Sequence, residues 1–284
     1  MFTGLAMTSR RLFAVVLLLM LSAPAALAGR LPRPDHVVIV IEENHGYAQI
    51  MDLRNRASYI QALAKHGMLF TESHGVAHPS LPNYLALFSG STQGVTDDSC
   101  SHAFNNDNLA TRLLDGGFSF ATYSESLPQA GDMGCASGPY QRKHNPAANW
   151  QGTRLDAALN RRFADFPSDY SLLPTVSFVI PEQNNDMHDG SFEDADRWLK
   201  TNIDPYVEWA FRHNSLLILT WDEDDFRPEN HIATILAGPM VKRGVSMQRI
   251  DHYSVLRTLL DFYGLPALGA SRDAKPITGI WKKP

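Results

Sequence analysis

Cysteine is almost missing from this chain: Cys100 and Cys135 are the only two in 284 residues. That excludes a disulfide-dense scaffold, and apart from His102 no residue stands at a useful zinc-ligand spacing from either thiol. No Gly-x-Ser-x-Gly stretch occurs, so the nucleophile elbow of a serine lipase is absent. No Cys-x-Pro-x-Arg stretch occurs, which removes the formylglycine precursor of a sulfatase. Positive charge is short as well, with 25 Lys and Arg against 30 Asp and Glu. A mildly acidic chain is a poor partner for nucleic acid, and none is expected. Beyond residue 28 no apolar run is long enough to span a bilayer. Internal repeats and low-complexity segments are absent.

What is there begins with a leader. Residues 1–28 have the layout of a signal peptide: Arg10 and Arg11, then the apolar stretch Leu12 to Leu21, then Ala26-Leu27-Ala28 before Gly29. Ser9-Arg10-Arg11-Leu12-Phe13 also resembles a twin-arginine signal, so the export route is open. Residues 29–284 fit one α/β domain. Their formal charge is −7, because the leader takes away two Arg and no acid from a total of −5. Export makes the protein periplasmic or secreted. In an oxidising compartment Cys100 and Cys135 are expected to pair, joining two polar, loop-like excursions.

The rest alternates between strand and helix signals. His36–Ile41, Thr175–Ile180 and Ser215–Trp221 are apolar, β-branched runs of the kind buried on both faces of a parallel sheet. Met68–Phe70, Phe118–Tyr123 and Ile232–Ala237 add further strands. Helices are predicted over Ser58–Ala64, from Ser80 to near Gly90, over Asn108–Asp115, over Phe192–Phe211 with a break at Pro205, and over Tyr253–Tyr263 behind an Asp251 cap. The fold class is therefore α/β, three-layer α/β/α with a mainly parallel central sheet. Residues 124–150 form a long polar excursion, and such loops are usually functional.

Ligands of such sheets sit beyond the carboxyl ends of the strands. That edge collects Glu43 and Asn44, His188, and Asp222 and Glu223. Ser80 joins them in His78-Pro79-Ser80-Leu81-Pro82-Asn83-Tyr84, where Pro82 is tolerated only in a first helical turn. A serine at a helix start is ordinarily a cap, but the free N–H groups there also favour an anion. Clustered carboxylates repel one another unless a cation lies between them, and oxygen ligands suit one divalent ion such as Mg²⁺, Ca²⁺ or Mn²⁺. Taken singly, Glu43 and the run 222–225 also read as solvated strand ends. Of eleven histidines, His144, His188 and His231 stand in dense polar contexts and could supply charge and a proton.

Glu43-Asn44-His45, His78 to Tyr84, Lys143-His144-Asn145-Pro146, Asn185-Asp186-Met187-His188 and Trp221-Asp222-Glu223 together resemble the bacterial phosphoesterase family, which holds secreted acid phosphatases and phospholipases C. The likeness covers nearly all of residues 29–284 and is nearest to the short acid phosphatases. It implies an alkaline-phosphatase-like core and a metal held by Glu43, Asn44, Asp222 and Glu223. It implies Ser80 as a nucleophile that also touches the metal, and His144, His188 and His231 as phosphate-holding or proton-donating groups. Asn83, Lys143, His144 and His188 become the candidate substrate contacts. Larger family members follow the Asp-Glu pair with a Gly-rich segment and Asp-His. Here Asn230 precedes His231, which leaves Asp224 competing with Glu223 for the metal.

The leading expectation is an exported phosphomonoesterase acting through a phosphoserine on small phosphate esters or phospholipid headgroups. A phospholipase C would use the same site on the other ester bond. A non-catalytic phosphate- or metal-binding protein is the reading from another class.

Overall fold

The computed structural model describes residues 1–2, 31–100 and 102–283. The expected leader falls, but for its first two residues, outside the described ones. Everything below lies in the unit Leu31–Pro284.

The strands are β1 His36–Glu42, β2 Met68–His74, β3 Phe120–Ser124, β4 Ala136–Ser137, β5 Tyr140–Gln141, β6 Asn160–Arg162, β7 Val176–Ile180, β8 Ser215–Trp221, β9 His231–Ala237, β10 Gly244–Ser246 and β11 Ile250–Asp251. The helices are α1 Tyr47–Ile50, α2 Ser58–His66, α3 Ser80–Ser89, α4 Leu109–Asp115, α5 Phe192–Asn202, α6 Asp204–Ala210 and α7 His252–Phe262.

One sheet runs β10-β2-β9-β8-β1-β7-β3-β6, with β11 also on β2, while β4 and β5 make a separate small hairpin. β1 lies parallel to β7 and β8 at the centre. β9 is antiparallel to both of its neighbours, β2 and β8. β2 therefore points the same way as β8, and the loops after β1, β2, β7 and β8 all emerge at one edge.

The apolar character of β1 on both faces follows from what covers it. Val37, Ile39 and Ile41 pack with Leu81, Leu85 and Phe88 of α3 and Val255 and Leu259 of α7. Val38 and Val40 pack on the other side with Ile60 of α2, Trp198 of α5 and Val207 of α6. Side chains alternate across a strand, so each face feeds its own core.

Helix α3 is buried along all ten residues. It ends at Gly90, whose φ of 74° is left-handed and whose missing Cβ would lie 2.2 Å from the Leu268 carbonyl oxygen. Conformation and space both require glycine there. The break at Pro205 is real: the predicted long helix is two, and Pro205 occupies the first turn of the second. Asp251 caps α7 by accepting from the Ser254 N–H.

Candidate active site

Ser80 opens α3, and Pro79 rather than Ser80 is the N-cap. Its hydroxyl makes no cap. It turns instead to two carboxylates, 3.0 Å from Glu43 Oε2 and 3.3 Å from Glu223 Oε1. All three residues are buried. The loop before Ser80 is held by Asn83, three residues on. Asn83 Oδ1 accepts from the Val76 and Ala77 N–H groups, and its Nδ2 donates to the Ala77 and Pro79 carbonyls. Every polar valence of that amide is used, so the expectation of Asn83 as a substrate contact is corrected: it shapes the loop that carries the serine.

Glu43 follows β1. Its N–H donates to the Asp186 carbonyl. Its Oε1 accepts from the Tyr84 hydroxyl at 2.5 Å and lies 3.2 Å from His144 Nε2. Asn44 adopts a left-handed φ of 52°, which asparagine tolerates, and donates its N–H to Asp222 Oδ1 at 3.2 Å. Asn44 Oδ1, Asp222 Oδ2 and His144 Nε2 are buried atoms with no hydrogen-bond partner among the described residues. His252, at the start of α7, fixes the other side of Asp222 through its Nε2 and the Asp222 carbonyl, 2.6 Å apart.

These acids are crowded. Burial first, then the charges of Asp222 and Asp186, hold Glu43 well above the ordinary carboxyl range. Burial and the Asp222 charge push Glu223 up to about 9. Burial raises Asp222 to about 7 and Asp186 to about 7. His144 goes the other way: burial, then the charges of Lys143 and His188, keep it well below its usual value. Burial therefore favours its neutral form over the charged form the sequence led one to expect. A neutral imidazole is the form that ligates a metal.

Residues 124–150 deliver Lys143 and His144, so the long polar excursion is part of the site. Lys143 Nζ lies 3.4 Å from His188 Nε2, and His188 Nδ1 faces Asp189 Oδ1 at 2.8 Å. Glu43, His144 and His188 together offer a metal-holding group, with one ligand atom from each lying within 4.8 Å of the others. Orphaned oxygens, crowded acids and a neutral imidazole fit a divalent cation.

The expectation for His231 is corrected by its surroundings. Its Nε2 lies 2.8 Å from the Thr71 carbonyl, and its ring stacks between Tyr47 and His74. These contacts tie it to the β2–β9 ladder. Glu223 and Asp224 differ in their surroundings. Glu223 faces Ser80, whereas the two oxygens of Asp224 accept from the Arg227 and His231 backbone N–H groups. Sequence reading missed Tyr84, His78 and His252. Tyr84 was findable, since it stands four residues after Ser80 on one helix face. His78 Nδ1 bonds to Glu223 Oε2. Cys100 and Cys135 are disulfide-bonded, as expected.

A three-layer sheet carrying acids, imidazoles and a helix-opening serine at its carboxyl edge defines a hydrolase with an alkaline-phosphatase-type fold. Solved structures agree on the fold. A protein in the alkaline phosphatase superfamily from Vibrio parahaemolyticus aligns with TM-score 0.60 and 13% identity, covering 87% of this chain and 71% of that one. A phosphonate monoester hydrolase from Silicibacter pomeroyi aligns with TM-score 0.54 and 11% identity, covering 86% and 76%. The chain belongs to the Phosphoesterase family, whose model matches residues 53–266. A phosphatidylinositol-3-phosphatase of Mycobacterium tuberculosis is 44% identical over 257 residues, 89% of this chain and 85% of that protein. A phosphate-repressible acid phosphatase of Penicillium chrysogenum is 32% identical over 74% of this chain, which spans 55% of its length. The chain is a phosphoric ester hydrolase.

Proposed function

We propose that the protein is an exported, metal-dependent phosphomonoesterase that works through a phosphoserine at Ser80, with phosphoinositide headgroups within its substrate range. The observation that carries this is the Ser80 hydroxyl, held between Glu43 and Glu223 at the N-terminus of a buried helix. The 44% identity to a phosphatidylinositol-3-phosphatase supports the substrate class, and the Cys100–Cys135 bridge supports an oxidising compartment. No helix among the described residues is long and apolar enough to cross a membrane.

Glu43, Asn44, Asp222 and Glu223 would hold the cation, with Ser80 touching it and the His144 nitrogen beside Glu43, which leaves His188 for proton transfer. Imidazole nitrogens widen the choice from the hard cations to transition metals. When bound, the ion would supply positive charge that eases ionisation of the serine and draws electrons from phosphorus. The hydroxyl proton has two carboxylate acceptors in place. Ser80 Oγ attacks phosphorus, the bond to the departing alkoxide breaks, and His188 Nε2 protonates that oxygen, its ring oriented by Asp189. Lys143 and the first-turn N–H groups of α3 receive the charge on the remaining oxygens. Water then attacks the phosphoserine and frees phosphate.

Ser80→Ala should keep the fold and lose on the order of a thousandfold or more in kcat. Acid-quenched wild-type protein should carry phosphate on the Ser80 peptide. Near-normal turnover in Ser80→Ala, or inversion at a chiral phosphate, would overturn the mechanism in favour of direct attack by water. A headgroup panel including a phosphatidylcholine diester separates this reading from a phospholipase C.

A further inference from the structure

The groups that would receive a phosphate at Ser80 are already engaged by one side chain of the chain itself. Asp98 Oδ1 accepts from the Leu81 N–H at 2.9 Å, in the first turn of α3. Asp98 Oδ2 accepts from Lys143 Nζ at 2.8 Å. One carboxylate thus bridges the helix N-terminus and the ammonium whose charge reaches Glu43 and Asp222. Asp98 is no accident of a free loop. It stands two residues before Cys100, and the bridged Cys135 accepts through its carbonyl from the Arg142 N–H, next to Lys143. The disulfide therefore ties together the two segments that supply Asp98 and Lys143. The Asp98 side chain is 30% exposed, so it has somewhere to go when displaced.

We propose that Asp98 is a resident anion: its carboxylate holds the phosphate-receiving donors in the empty enzyme, yields them to the substrate's phosphate, and reclaims them as product leaves. It tunes phosphate affinity in the proposed reaction, and the inference rests on the reading of Ser80 as the nucleophile. A phosphate dianion carries two charges against the carboxylate's one and displaces it. Asp98 then weakens binding of inorganic phosphate and limits inhibition by product, since every phosphate group that enters must first release these donors.

The test measures binding of inorganic phosphate by calorimetry on the full-length, metal-supplemented protein in a Ser80→Ala background, where no turnover interferes. Asp98→Asn and Asp98→Ala should each lower the phosphate Kd about tenfold, the scale of one charge-assisted hydrogen bond released. The gain should shrink to less than about twofold when Lys143→Met is added, because the contested donor is gone. In the Ser80 protein, Asp98→Asn should lower the Ki of inorganic phosphate as a product inhibitor by a similar factor. An unchanged or raised phosphate Kd in both Asp98 variants, at unchanged melting temperature, would overturn the proposal and leave Asp98 as a prop for Lys143. Retained turnover in Ser80→Ala would instead overturn the nucleophile assignment, and leaves the phosphate titration readable on its own.

Discussion

Tyr84 shows how much one side chain away from the reacting atoms can control. Its hydroxyl donates to Glu43 at 2.5 Å and its ring stacks on His144 with centroids 5.3 Å apart. That hydrogen bond is one of the few influences that lower Glu43 against burial. Tyr84→Phe keeps the stack and removes the donor. Partners that orient metal-holding groups are commonly worth 10–100-fold in metal affinity, so a loss of about tenfold or more is expected, with kcat recovering at saturating metal. A metal titration by calorimetry checks it, and unchanged affinity would refute the role. Asn83 gives the contrasting case. Four hydrogen bonds to the 76–79 backbone predict that Asn83→Ala costs about 2–4 kcal/mol of folding stability, read from denaturant melts. A substrate contact would weaken phosphate binding and leave the melt alone. The sequence made Glu43, Asp222 and His188 candidates because the strand-end rule depends only on where apolar runs stop, and Ser80 a candidate because Pro82 marks a first helical turn. The surroundings of Asn83, His144 and His231 were not legible, because orientation and burial decide whether an amide or an imidazole meets ligand, metal or backbone. None of these leaves a mark on local sequence.

At the scale of elements, β1, β7, β8 and α7 were legible nearly to their ends, since burial on both faces and an Asp cap are local signals. β9 was legible as a strand but not in its direction. An apolar heptad reads the same whether its neighbours run with it or against it. The hydrogen-bond pattern of β9 with β2 and β8 is what makes it antiparallel. β6, β10 and β11 were missed, being edge strands of two or three residues with no room for a pattern. The excursion over 124–150 was legible as functional but not in its anchoring. Buried Arg142 donates to the carbonyls of Met133, His102 and Ala148 and so gathers three loop segments beside the disulfide. Arg142→Met should therefore cut kcat and raise protease sensitivity around residue 140 together, which limited proteolysis followed by mass analysis would detect. Loss of activity with an unaltered cleavage pattern would place Arg142 in the chemistry instead.

For the whole molecule, the crowded acids tie stability to pH and to metal. Glu43, Asp186, Asp222 and Glu223 hold protons in the folded, metal-free chain that the unfolded chain releases near the ordinary carboxyl range. Raised folded values mean that stability is fullest below about pH 4 for this term, and is lost as pH rises through about 7 for Asp222 and Asp186 and about 9 for Glu223. A divalent cation held there would replace those protons and reverse the trend, because it would bind the deprotonated oxygens. Chelated protein should melt at progressively lower temperature from pH 5 to pH 8, while metal-loaded protein should not. Parallel curves in scanning calorimetry would rule out the linkage. The central place of β8, between β9 and β1, has a consequence of another kind. Asp222 and Glu223 enter the chain after Glu43, Ser80, His144 and His188, on the strand that joins the two halves of the sheet. A chain still emerging, or cut before Ser215, carries Glu43, Ser80, His144 and His188 yet has no seam to gather them. Assembly of the candidate site therefore waits on the pairing of β8 with β1 and β9.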